Sequence, residues 1–162
     1  ARGLSALRFD HAGCGNSQGE REPISVDRRL ADLDAVLDWA AEGPAVGAEV
    51  AFGGSSMGAA VSLVAASRRG ARAWAGIATP LDHWEGVRDA AAGYAGQALV
   101  VWGDADEVVP PGDSRWLVER WGGRARSLCF PEGDHRLHAQ VDRTADEMAE
   151  FFAGILLPGR PG

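Results

Sequence analysis

Residues 52–60, with the sequence FGGSSMGAA, place two adjacent serines among glycine, alanine and methionine. Only Ser56 occupies the central position of the pattern G-x-S-x-G, which runs from Gly54 to Gly58. A strand that turns sharply into a helix strains the backbone of its central residue, and side chains two positions to either side would collide. The stretch therefore predicts a strand, a tight turn and a helix. Ser56 becomes a candidate nucleophile, with the alternative that these small residues merely begin a helix.

Short apolar runs alternate with segments of helical periodicity along the whole chain. Each run ends near glycine, proline or aspartate, as buried strands do. The five runs are 4–9, 48–53, 71–78, 98–103 and 126–130. Helices are predicted at 26–40, 57–69, 83–92, 113–121 and 141–153. This alternation predicts an α/β fold, with a mostly parallel sheet of about five strands, helices on both faces, and one domain spanning residues 1–162.

Functional residues in such a sheet gather at the carboxyl ends of the strands. There the amide of Met57, at the start of a helix, is a candidate donor to an oxyanion. A serine hydroxyl also needs a histidine to take its proton and a carboxylate to orient that histidine. Asp104 and Asp106 follow the fourth run, and His135 follows the fifth. We prefer Asp106, which lies further into its loop, over Asp104, which is also a typical turn former, and we prefer His135 as a base over a merely exposed loop histidine.

The other three histidines give no catalytic or metal signal. His138 lies three residues after His135, but no carboxylate stands in register to complete a metal site, so we expect His138 to be exposed. His11 and His83 are not candidates for catalysis. Neither a metal ion nor an organic cofactor is predicted.

The composition excludes several classes of partner. The net charge is −7 and no basic block is present, so nucleic acid is not an expected partner. No stretch reaches the ~18 apolar residues of a membrane span, so no membrane contact is expected. Cys14 and Cys129 are too far apart for a disulfide framework, which predicts reduced thiols in a cytoplasmic protein. Cys129, within an apolar run, is expected to be buried, and Cys14, on a glycine-rich loop, more accessible.

Four ordered motifs make the sequence similar to the α/β-hydrolase superfamily, particularly bacterial serine esterases, lipases and serine-aminopeptidase-like hydrolases. They are LRFDHAGCGNSQG (7–19), GSSMG (54–58), GDADEVVP (103–110) and GDH (133–135). The resemblance implies Ser56 as nucleophile, His135 as general base and then general acid, and Asp106 as the orienting carboxylate. Ala12 and Cys14 stand where the family usually has arginine and histidine, so the usual packing of that loop is not implied.

The same resemblance implies that the N-terminal part of the domain is missing. In the family, a loop before the segment matched by 7–19 normally supplies the second oxyanion-hole amide, and a further strand normally lies beside the strand at 48–53. We therefore expect segment 4–9 to close up against 48–53, with self-association through the unpaired sheet edge as the alternative. A fragment of this kind is expected to be marginally stable, prone to aggregate and nearly inactive.

The predicted function is a carboxylesterase-like serine hydrolase that cleaves an ester, thioester or amide of a small-molecule acyl substrate. Only 19 residues (79–97) separate the third and fourth runs, which leaves no room for a cap domain. Trp84 and Tyr94 are candidates for the acyl pocket, although aromatic residues at helical spacing more often fill a core. The alternative is a non-catalytic hydrolase-fold protein that binds a ligand or a partner, and lyase or haloperoxidase chemistry on the same fold stays open.

Overall fold

The computed structural model describes residues 3–20, 25–43 and 49–157. Its strands are β1 (Phe52–Ser55), β2 (Ala73–Ile77), β3 (Gln97–Gly103) and β4 (Ala125–Phe130). Its helices are α1 (Val26–Ala41), α2 (Met57–Arg68), α3 (Val87–Gly93), α4 (Pro111–Trp121) and α5 (Val141–Leu156). Short 3₁₀ turns span Gly122–Arg124 and His138–Gln140. No helix of these residues is long and apolar enough to cross a bilayer.

The four strands form one parallel sheet in the order β1-β2-β3-β4. Each pair of sequential strands is joined across a helix, because parallel neighbours cannot be connected by a tight turn. The register places Ser55 opposite Ile77 and Gly103 opposite Phe130. The carboxyl ends of all four strands therefore lie at one edge of the sheet, and the predicted parallel α/β architecture is confirmed.

The strand predicted at 4–9 is not part of this sheet. Leu7 is 54% exposed, and the segment has no strand conformation. The apolar run at 48–53 begins at Ala48, outside the described residues, and the strand itself begins at Phe52. Expected closure of 4–9 onto β1 is therefore wrong, because an apolar run becomes a strand only where it finds a hydrogen-bonding neighbour. Within the described chain the outer edge of β1 has no partner, and the predicted self-association through it stays a prediction.

Side chains that alternate along the central strands supply two separate cores. Trp74, Ala98 and Val100 face the layer made by α1, α2, α3 and α4, whereas Ala75 and Leu99 face α5. All five of these side chains are fully buried, as a sheet covered on both faces requires. The two cores confirm the prediction of helices on both faces and make the sheet a rigid platform for the loops at its carboxyl edge.

The glycine-rich loop at 10–19 is fastened to α1. Asp32 Oδ2 accepts hydrogen bonds from the backbone N–H of Ala12 and pairs with His11 Nδ1, both at 3.1 Å. The buried guanidinium of Arg29 donates to the carbonyl oxygen of Ala12 at 2.8 Å. The loop has alanine at position 12, where the related family usually has arginine. Arg29 of α1 thus supplies a guanidinium that holds the loop.

This loop contact predicts a pH dependence of stability. Burial lowers the pKa of His11, and the positive charge of Arg29 adds to the effect, which together outweigh the hydrogen bond to Asp32. Below about pH 6.5, His11 of the unfolded chain takes up a proton, whereas His11 of the folded chain stays neutral until a lower pH. Protonation therefore favours the unfolded chain, and the free energy of unfolding falls as the pH is lowered. Urea unfolding of the wild type between about pH 7 and pH 5 should show this loss, and His11→Gln should reduce the slope. Identical slopes in the two proteins would exclude His11 as the cause.

Asp32 adds to the same trend at lower pH. Partial burial acts to raise the pKa of Asp32, but the hydrogen bonds from Ala12, His11 and Arg29 outweigh it, and the pKa lies below its ordinary value of 3.8. The ionised carboxylate therefore stabilises the fold above that value, and this stabilisation is lost as the pH falls through the lowered pKa.

The two cysteines occupy the reverse of their predicted environments. Cys129 is exposed and Cys14 is half-buried, so the prediction of a buried Cys129 is wrong. The physical reason is that β4 is an edge strand of the described sheet: Leu128 and Phe130 on one face pack into the α5 core, while Cys129 points to the other face and is left exposed. Both thiols are free, and the predicted cytoplasmic location stays a prediction.

Candidate active site

The turn between β1 and α2 holds Ser56 in a strained conformation. Its backbone has φ 53° and ψ −121°, a combination that few residues other than glycine adopt and that typically costs ~1–3 kcal/mol. Gly54 makes the turn possible, since a β-carbon there would lie 2.3 Å from the carbonyl carbon of Gly58. A β-carbon at Gly58 would meet open space, so the predicted collision holds for Gly54 only.

Backbone hydrogen bonds fix the position of Ser56 at the sheet edge. Its N–H donates to the carbonyl oxygen of Ile77 at the end of β2 at 2.8 Å. Its own carbonyl oxygen accepts from the N–H groups of Ala59 and Ala60 in the first turn of α2, at 2.9 and 3.1 Å. The hydroxyl is therefore presented by a rigid turn rather than by a free loop.

The loop after β3 separates the two candidate acids. Asp106 is buried, and its Oδ1 accepts hydrogen bonds from the N–H groups of Val108 and Val109 at 2.8 and 2.9 Å. Asp104 lies at the surface and forms an ion pair with Arg115. The carboxylate of Asp106 thus makes three hydrogen bonds, two with backbone N–H groups of its own loop and one with His135. Asp104 instead pairs with Arg115.

The loop after β4 is braced against the loop after β3. A β-carbon at Gly103 would lie 2.0 Å from the carbonyl oxygen of Gly133, so the two backbones approach in a way that only glycine permits. Asp134 then closes a turn, because its Oδ1 accepts from the N–H groups of Arg136 and Leu137 at 3.1 and 2.8 Å. Sequence reasoning missed this brace, although an aspartate that bonds the backbone two residues further on is a known turn signal.

The three preferred side chains meet in a single hydrogen-bonded chain. His135 Nε2 lies 3.1 Å from Ser56 Oγ, and His135 Nδ1 lies 2.9 Å from Asp106 Oδ2. With Nδ1–H donating to the carboxylate, Nε2 is free to accept the serine proton. The side chain of Asp106 is 1% exposed and that of His135 is 19% exposed, so the carboxylate is enclosed while the imidazole remains open to a substrate. Their catalytic roles stay a prediction.

Met57, the candidate oxyanion donor, is the first residue of α2. The first N–H groups of a helix have no acceptor inside that helix. The backbone N–H of Ser56, in contrast, is occupied by Ile77. The hydrogen bonds among the described residues include none donated by the Met57 amide, and its role as an oxyanion donor stays a prediction.

The two candidates for the acyl pocket are divided by the fold. Trp84 is half-buried in the segment that follows the carboxyl end of β2, and it packs against the core that faces α1–α4. Tyr94 is 2% exposed near the opposite edge, where its hydroxyl donates to the carbonyl oxygen of Gln97 at 3.0 Å and burial raises its pKa. Tyr94 therefore fills the core, as aromatic residues at helical spacing more often do, and it does not line a pocket at Ser56, because a tyrosine just before β3 cannot reach the carboxyl end of the strands.

The other histidines lie outside the hydrogen-bonded chain. His138 is exposed, as expected, and His83 is exposed beside Trp84, whereas His11 contacts Asp32. Within residues 3–20, 25–43 and 49–157 no group of three histidine, cysteine or acidic side chains is placed to hold a metal ion.

Several known proteins share this fold. An α/β serine hydrolase homologue from Coxiella burnetii superposes with a TM-score of 0.75 at 25% identity, over 88% of this chain and 66% of that one. An α/β serine hydrolase without a lid from Xanthomonas campestris superposes with a TM-score of 0.73 at 28% identity, over 95% of this chain and 67% of that one. Both similarities support the α/β-hydrolase fold of the described residues.

Sequence comparison points to the same superfamily. The chain is 35% identical over 82 residues to the mitochondrial palmitoyl-protein thioesterase ABHD10 of Bos taurus, a match that spans 49% of this chain and only 25% of the bovine protein. The family described as serine aminopeptidase, S33, matches residues 1–91, more than half of the 162 residues. Taken with the fold, this match shows that the chain belongs to the S33 serine aminopeptidase family of α/β hydrolases.

Proposed function

We propose that this chain is a serine hydrolase that cleaves an ester, thioester or amide through an acyl-enzyme on Ser56. The observation that carries the proposal is the hydrogen-bonded chain from Ser56 Oγ through both ring nitrogens of His135 to Asp106 Oδ2. Membership of a hydrolase family supports the reaction class. Catalytic roles for these residues, and the carboxylesterase-like specificity, are part of the proposal.

In the first step Ser56 Oγ attacks the carbonyl carbon of the substrate. His135 Nε2 takes the hydroxyl proton, and the carboxylate of Asp106 stabilises the imidazolium that forms. The carbonyl oxygen becomes an oxyanion and accepts a hydrogen bond from the Met57 amide, an interaction that strengthens as charge develops. His135 then protonates the leaving oxygen, sulfur or nitrogen, which leaves the acyl group on Ser56.

Deacylation repeats these steps with water as nucleophile. His135 Nε2 removes a proton from the water, and the attacking oxygen forms a second tetrahedral intermediate at the same carbonyl carbon. Collapse of that intermediate returns the proton to Ser56 Oγ. The residues need to be in place before substrate binds, and the backbone bonds to Asp106 Oδ1 meet this need by fixing the carboxylate and hence the tautomer of His135.

The substrates that fit best are small or solvent-presented acyl groups. Residues 79–97 contain only a short loop and α3, with no inserted cap between β2 and β3. Two cavities of about 350 and 230 Å³ include Arg72 in their walls, just before β2, and so lie toward the amino ends of the strands rather than at Ser56. Thioesters should be among the substrates tested, because the related bovine protein is a palmitoyl-protein thioesterase.

Covalent labelling with a fluorophosphonate probe tests the proposal. We expect one adduct per chain, located on Ser56 by peptide mass spectrometry, because the probe reacts with an activated serine hydroxyl. Ser55→Ala is the matched control and should label like the wild type, since Ser55 is a neighbouring serine outside the hydrogen-bonded chain. A protein that only binds a ligand or partner would show no adduct that depends on His135, and that result would refute the proposed function.

A further inference from the structure

Cys14 lies in the loop at 10–19, in contact with a buried arginine. The residue is half-buried, and its sulfur lies 3.5 Å from Arg29 Nη2, which donates to it. Its backbone is fixed as well, because the N–H of Cys14 donates to the carbonyl oxygen of His11 at 2.9 Å. The thiol is therefore held at one edge of a guanidinium and is still open to small solutes.

The donors of Arg29 are unequally satisfied. Nη1 donates to the carbonyl oxygen of Ala12 at 2.8 Å and lies 3.4 Å from Asp32 Oδ2. Nη2 has only the sulfur of Cys14, which is a weak acceptor, and Nε is buried without any acceptor in the described part of the chain. Arg29 itself is 2% exposed, so water does not readily replace the missing partner. An unpaired donor on a buried cation is costly, and it marks this edge as ready for a further acceptor.

An oxygen bound to the Cys14 sulfur is the acceptor that this edge lacks. Nε and Nη2 donate from the same edge of the planar guanidinium, a geometry that matches two acceptor atoms side by side. The sulfur already occupies the Nη2 position. We propose that Cys14 is a reversible oxidation site, at which a hydroperoxide converts the thiolate to a sulfenic acid whose new oxygen is held by Arg29.

The proposed step is a two-electron transfer. The thiolate sulfur of Cys14 attacks one peroxide oxygen, the S–O bond forms and the O–O bond breaks. Sulfur is oxidised, the peroxide is reduced, and the departing hydroxide or alkoxide takes a proton from water. A small thiol reverses the modification: its thiolate attacks the sulfenic sulfur, water leaves, and the mixed disulfide is reduced by a second thiol. Arg29 Nη2 donates to the sulfur, and in the proposed product the same edge of Arg29 donates to the new oxygen.

Cys129 provides an internal control in the same chain. It is more exposed than Cys14, so accessibility alone would make it the more reactive thiol. The protein atoms around it raise its pKa by reducing its solvation, the negative charge of Asp104 adds to this, and Arg115 offsets only part. The oxidation rate of Cys129 therefore gives the reactivity of an exposed thiol that does not contact a buried guanidinium.

The experiment treats the reduced 162-residue chain with hydrogen peroxide, traps sulfenic acid with dimedone, and follows each cysteine by peptide mass spectrometry. We expect Cys14 to be trapped about tenfold faster than Cys129, the size expected for one added hydrogen bond to a charged group. Arg29→Lys keeps the charge but removes the two-donor edge, and it should bring the Cys14 rate down to that of Cys129. A thiol such as dithiothreitol should reverse the oxidation of Cys14.

Two results would overturn the proposal. One is that Cys129 is trapped as fast as Cys14 in the wild type, a comparison that requires no substitution and so does not depend on whether Arg29→Lys folds. The other is an unchanged Cys14 rate in a folded Arg29→Lys protein. Cys14→Ser, which should lose only the Cys14 signal, identifies the trapped peptide.

Discussion

Ser56→Ala is expected to abolish ester hydrolysis by this chain, and His135→Ala is expected to lower kcat to the background rate, a loss that reaches about 10⁶-fold in a fully active hydrolase. In the first variant the atom that forms the acyl bond is absent. In the second the hydroxyl of Ser56 keeps its proton, because Nε2 at 3.1 Å is the base that the site offers to it. Hydrolysis of an activated p-nitrophenyl ester at saturating substrate measures both losses.

The double variant separates a catalytic unit from two independent effects. Since nucleophile and base act in the same step, Ser56→Ala with His135→Ala should be no slower than Ser56→Ala alone. Ser55→Ala again serves as control and should retain the wild-type rate. Activity in His135→Ala close to that of the wild type would show that another group takes the proton and that the geometry has been assigned the wrong role.

The site could be predicted from sequence because its geometry follows from chain order at one sheet edge. Serine, acid and histidine come after successive parallel strands, and the carboxyl ends of such strands meet. The preference for Asp106 over Asp104 agrees with the contacts, since Asp106 bonds to His135, whereas Asp104 forms an ion pair with Arg115. Asp106 lies deeper in the loop and contacts His135, and its catalytic role stays a prediction.

The failures share one physical cause, which is that a sequence reports the polarity of a residue and not its neighbours. Segment 4–9 is as apolar as a strand but lacks a neighbour in the described sheet, and Cys129 lies in an apolar run but is exposed on an edge strand. The close approach of Gly103 and Gly133 also cannot be predicted from the sequence, because the two glycines belong to loops that are thirty residues apart in the chain.

Asp106→Asn is expected to lower kcat strongly, by about 10⁴-fold in a fully active hydrolase, while leaving the fold intact. The carboxylate accepts at both oxygens, from Val108 and Val109 at Oδ1 and from His135 at Oδ2. An amide satisfies the two backbone donors with its oxygen, which turns its NH₂ group toward the imidazole. His135 Nδ1 must then accept, the proton moves to Nε2, and that nitrogen can no longer take a proton from Ser56. Steady-state kinetics with the activated ester measure the loss.

Asp104→Asn is the matched control, because it makes the same chemical change two residues earlier in the same loop. In the wild type the carboxylate of Asp104 pairs with Arg115 at the surface, and an exposed ion pair contributes only about 0–1 kcal/mol to stability. We therefore expect kcat near the wild-type value and a slightly lower free energy of unfolding. Equal losses in the two variants would mean that loop charge rather than the tautomer of His135 controls the rate. A loss confined to Asp106→Asn, with unchanged urea unfolding, assigns the effect to the orientation of the histidine, since the enclosed carboxylate has no other polar contact among the described residues.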